Sequence, residues 1–261
     1  MEYFVPEQSI VRRIWGRADT VLLIFAGASA EFALNEAVDW LYFTGRLPAD
    51  PLGRLFTTVT YAQQIVFASQ QDAHAAIDSI TAIHRGVEQA RGSRIPVEAY
   101  LEVLFMLIDY SFRSFQLLER PLTTAERAEV FDVFHRVGSR MQLSGLPADY
   151  TSYERMRARY LEERLISTNF SIDLFRQYRK QLGFVRYWIL REAQALLVPG
   201  PVHGLLSLPS VPLLGPAFRI YKILHHWRLD SLPKKLLLPV AWQPQIRALD
   251  RSRSLSDFQP E

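Results

Sequence analysis

His84 is the residue whose setting most asks for a chemical explanation. Ile77, Ile80, His84 and Val87 stand at i, i+3, i+7 and i+10, so on a helix the imidazole falls within an apolar stripe. A buried imidazole needs partners for its ring nitrogens. Two readings meet that need: a hydrogen-bonded core histidine, or a proximal ligand to haem iron with the porphyrin lying on the apolar wall. Upstream, Arg54 and Thr58 stand at i and i+4, with Thr57 beside them at i+3, so a cation and hydroxyls share one side of a helix. Packed antiparallel on the His84 helix, they would face the imidazole across a cavity. The competing reading is a solvated arginine, with the threonine hydroxyls bonded back to the i−4 carbonyls.

Other chemistries find little support. The sequence has no Gly-rich phosphate loop, no nucleophile elbow and no HExxH motif. His225 and His226 are adjacent and would point roughly 100° apart on a helix, so they do not chelate one ion together. His74, His135 and His203 stand alone in separate segments. The absence of Cys excludes disulfides, thiolate metal sites, iron–sulfur clusters, thiol nucleophiles and thioether-tethered haem. With 30 basic and 27 acidic residues the formal charge is +3, which gives no support to nucleic-acid binding. Lysine occurs only at 180, 222, 234 and 235, leaving Arg as 26 of the 30 basic groups; arginine forks suit carboxylate-bearing ligands, although base composition would explain the excess equally well.

The elements that must position these residues are helical. Asp50-Pro51 supplies an N-cap and a first-turn proline for a helix over about 51–69, and Asp72 opens a second that packs back on it. Pro96 opens a third, strongly apolar helix. Thr123 with Glu126, and Thr151 with Glu154, have the capping-box spacing. Further helices are expected around 171–196 and 215–228. No sustained period-two stretch appears, so the fold class is mainly α: a single helical domain over 1–249 with a disordered tail over 250–261. Aromatics make up 12% of the 261 residues, enough to line an apolar pocket or to fill a plain helical core.

The N-terminus lacks the order of a signal peptide. The apolar stretch Thr20 to Leu34 is interrupted by Glu31 and falls short of the roughly 20 residues that span a bilayer. The uncharged run 201–218 holds Pro201, Pro209, Pro212 and Pro216 and is expected as a folded-back apolar loop, with peripheral membrane contact as one use for it. The expected setting is cytoplasmic.

The run from Asp50 to Val87, DPLGRLFTTVTYAQQIVFASQQDAHAAIDSITAIHRGV, resembles the DUF2236 family, also called the MpaB or latex-clearing-protein oxygenase family. Arg54 and Thr58 match the family's Arg and Thr four apart, and His84, thirty residues after Arg54, matches its Ile-His-x-x-Val motif. SIVRRIWGRADTVLLIFAGASAEFAL looks like the family's opening, RPLTTAE like its turn, and LPKKLLLPVAW, with Leu232, Pro233 and Trp242, like its C-terminal signature.

The resemblance implies a globin-like helical bundle around a non-covalent b-type haem (iron protoporphyrin IX), with His84 as proximal iron ligand. Arg54, Thr58 and Thr57 would line the haem pocket, with Arg54 and Thr58 contacting the cofactor or shaping its oxygen side. The implied activity is an oxygenase using dioxygen on an apolar, unsaturated, isoprenoid-like substrate, by oxidative cleavage of a carbon–carbon double bond or by monooxygenase or peroxidase chemistry, with an electron donor as a further partner. Rubber-cleaving relatives carry a Lys where this chain has Thr57, so a distal lysine ligand cannot form there. Many relatives have a His-Pro pair where Asn35 and Glu36 stand, and Glu31, Glu36 and Asp39 remain alternatives for a catalytic acid. A non-enzymatic haem or lipid-binding helical protein is the alternative from another class.

Overall fold

The computed structural model describes residues 2–35, 38–45 and 50–216, which form ten α-helices and no strand. They are α1 (Ile10–Trp15), α2 (Ala18–Phe32), α3 (Val38–Phe43), α4 (Pro51–Phe67), α5 (Gln70–Arg91), α6 (Val97–Leu118), α7 (Thr124–Arg140), α8 (Tyr150–Glu163), α9 (Asn169–Leu197) and α10 (Gly200–Leu205). The architecture is mainly α, as expected. The expected helix over 215–228, His225 and His226, the Leu232, Pro233 and Trp242 signature and the tail over 250–261 lie wholly or largely outside the described residues.

Local chemistry explains most of the helix ends. Asp50 accepts the Gly53 N–H and Pro51 occupies the first turn of α4, where its missing N–H has no cost. Ser69 caps α5, and Gly92 ends it in the left-handed conformation (φ 72°), its N–H reaching the Glu88 and Gln89 carbonyls. Thr123 and Glu126 form the capping box of α7. The expected Thr151–Glu154 box does not form. Asp149 caps α8 instead by accepting the Ser152 N–H, and Thr151 lies inside the first turn. The expected 201–218 loop also differs in its first residues: Pro201 falls in the first turn of α10, the position that tolerates proline, so Gly200–Leu205 is a short helix.

The core is built on α2 and α6, the most extensive helix pair. Their close approach depends on Gly27, because a Cβ there would lie 2.2 Å from a Tyr110 ring carbon. Helices α1, α7 and α9 pack around this pair. Trp15, fully buried, donates its indole N–H to Ser111 Oγ at 3.1 Å and packs edge-on against Phe25. Helices α4 and α5 form an antiparallel hairpin through the two-residue turn Ala68-Ser69. No helix of the described residues is long and apolar enough to cross a membrane.

Candidate functional site

The hairpin brings Arg54 to His84. Arg54 lies 13 residues before the end of α4 and His84 lies 14 after the start of α5, so each sits about 20 Å from the turn along its own helix. The pairing is electrostatically visible: burial, then the Arg54 cation, hold the His84 imidazole below its usual basicity, with Glu88 opposing. His84 is therefore held towards its neutral form, the form that ligates metals. Its Nδ1 is buried and has no hydrogen-bond partner among the described residues. The ring meets Tyr100 of α6 edge-on, centroids 5.1 Å apart. Tyr100 in turn approaches Glu88, whose carboxylate accepts the Ile95 N–H at 2.9 Å.

The hydroxyls behave differently from the cation. Thr57 donates to the Gly53 carbonyl at 2.9 Å and Thr58 to the Arg54 carbonyl at 3.1 Å, and both side chains are exposed. This is the back-bonded arrangement, in which the donors of both hydroxyls are spent within α4. The apolar stripe also has two halves. Ala73 and Ile77 are fully buried against the core, whereas Ile80, His84 and Val87 are half-covered and Ile83 is exposed.

Two of the three acids considered as catalytic groups are described. Glu31 is fully buried in a bidentate pair with Arg157, itself 5% exposed, and accepts a hydrogen bond from Tyr110 Oη at 2.8 Å. Arg157 also reaches Asp109 at 2.9 Å. Burial opposes the Arg157 charge, but Glu31 and Asp109 more than offset it, so the guanidinium stays protonated. Glu31 is thus committed to holding α2, α6 and α8 together. Asp39 pairs with Arg91, whose guanidinium stacks over Trp40 at 4.1 Å, fastening α3 to the end of α5. Glu36 lies outside the described residues. Asn35 donates to Glu102 at 2.6 Å and to Tyr160 Oη at 2.8 Å.

Among the described residues no three His, Asp or Glu side chains converge as a metal cluster. Two clefts lie away from His84. One, of about 260 Å³, lies beside the α4–α5 turn at Gln63, Phe67 and Asp72; the other, of about 340 Å³, lies between α9 and α10 and is lined by Phe175, Arg176, Arg179 and Arg191. The arginines of the second cleft carry no local sequence signal beyond the general excess of arginine over lysine.

A family model described as "ER-bound oxygenase mpaB/B'/Rubber oxygenase, catalytic domain" matches residues 10–231. The chain belongs to this oxygenase family. The match runs from the start of α1 to beyond the last described residue, so it takes in Arg54, His84 and the Glu31–Arg157 pair. No curated protein and no solved structure gives a significant match. Membership in the mpaB and rubber-oxygenase family identifies the chain as an oxygenase-type domain.

Proposed function

We propose that the protein is a haem b-dependent oxygenase that uses dioxygen on an apolar, unsaturated, isoprenoid-like substrate. The observation that carries the reading is His84: a desolvated imidazole, disfavoured as a cation, with a buried nitrogen that no described residue satisfies, inside a chain of an oxygenase family. The donor chemistry fits a haem. A neutral imidazole is the usual axial ligand, and a guanidinium beside it suits a cofactor bearing carboxylates.

When bound, the haem would supply the activation of dioxygen that protein side chains lack. The chain's own residues have simpler tasks. His84 would hold the iron and set its electron richness. Arg54 would neutralise negative charge at the pocket while keeping His84 unprotonated. Ile80, Val87 and the Tyr100 ring would provide apolar surface that excludes water. Thr57 and Thr58 donate to their own helix, so their part would be to shape the wall through their methyl groups and remaining acceptor lone pairs.

The test is an absorption spectrum of the purified protein after haem supplementation. A Soret band in stoichiometric amount, lost in a folded His84→Ala variant, supports the proposal; a folded wild-type protein without the band overturns it. Oxygen uptake with reductant and an isoprenoid substrate then separates an oxygenase from a haem carrier.

A further inference from the structure

The cleft between α9 and α10 has a charge pattern that the oxygenase reading leaves unused. Arg176, Arg179 and Arg191 line it, no carboxylate does, and none of the three forms an ion pair among the described residues. The nearby acids are engaged elsewhere: Asp173 accepts the Tyr42 hydroxyl at 2.8 Å, and Glu192 accepts the Leu214 N–H at 3.1 Å. Arg191 is fixed in place, with one nitrogen donating to the Leu206 carbonyl at 2.7 Å and its guanidinium carbon 4.9 Å from the Phe175 ring centre. Burial disfavours its charge, with Tyr187 opposing and no carboxylate among the offsetting groups. Ile172 and Leu205 supply an apolar wall beside these cations.

We propose that this cleft binds the anionic head and first carbons of an amphiphile, a carboxylate or phosphate on an aliphatic chain. Three guanidinium groups around one concavity concentrate positive potential, and a carboxylate or phosphate accepts their paired N–H groups in fork geometry. The volume of about 340 Å³ is at the lower end of small-ligand sites, which suits a head group with a short stretch of chain rather than a whole large molecule. His84 does not line the cleft, so the site stands or falls independently of haem.

The test is calorimetric titration of the full chain with decanoate, decanol, inorganic phosphate and phosphatidylglycerol vesicles. Decanoate is expected to bind one-to-one, at least about tenfold tighter than decanol or phosphate. Because Arg191 also props the chain at Leu206, the deciding variant is the exposed pair R176Q/R179Q, which is expected to weaken decanoate at least about tenfold with an unchanged melting temperature. R191Q is expected to weaken it further. Equal affinity for decanoate and decanol, undiminished binding by R176Q/R179Q, or phosphate binding as tight as decanoate overturns the proposal. Association with vesicles but not with free decanoate also overturns it, in favour of a membrane surface.

Discussion

Burying a single charged residue is tolerable only when its partners come with it, and two sites in this chain solve that problem in opposite ways. Glu31 and Arg157 are fully desolvated and completely paired, so either partner removed alone leaves a stranded charge. Arg157→Leu is expected to lower unfolding free energy by about 3–5 kcal/mol, measured by denaturant titration. His84 is instead biased away from its charged form, by burial first and then by the Arg54 cation. If the proposed haem is bound, the variant His84→Ala is expected to keep the helical circular-dichroism signal while losing it; a folded variant retaining full haem content removes His84 from the proposed ligand role. The difference also explains what could be read from residues alone. Arg54 and His84 are near in sequence and lie on one hairpin, so helical spacing nearly suffices to bring them together. Glu31, Asp109 and Arg157 come from three helices, and nothing local distinguishes Arg157 from the other arginines of YERMRARYLEERL.

Helix ends were legible where the capping residue competes with no better neighbour. Asp50-Pro51 and Thr123–Glu126 each offer one good cap. At α8 the threonine box loses to Asp149, two residues earlier, because a carboxylate placed there both accepts an N–H and meets the positive end of the helix. The α7 box carries a pH signature. Arg120, and then the Thr123 N–H and hydroxyl, hold the Glu126 carboxyl down to about 2, against an opposing effect of burial. A depressed carboxyl stabilises the fold fully above the ordinary value of about 4.5 and loses that contribution as pH falls towards about 2. Glu126→Gln is therefore expected to cost up to about 1 kcal/mol near neutrality, the group being solvent-screened. Chemical-denaturation midpoints of variant and wild type should converge between pH 4.5 and 2.

At the scale of the molecule, one contiguous core joins all ten described helices, α1 to α10. Trp15 sits within it with no exposure, and Trp15→Ala is expected to cost about 3–5 kcal/mol in denaturant unfolding. The hairpin that carries the candidate site is anchored unevenly on this core. Helix α5 is buried at Ala73 and Ile77, yet beyond Ile77 it has no fully buried residue, and its far end is held by the Arg91 clamp on α3 and by Glu88. That asymmetry has a consequence in time. The backbone amides from Arg85 to Arg91 should exchange with deuterated solvent through brief local openings, well before those from Ala76 to Thr81, which need a larger part of the core to open. Hydrogen-exchange mass spectrometry resolves the two segments, and equal protection along α5 would show that the hairpin opens only as a unit.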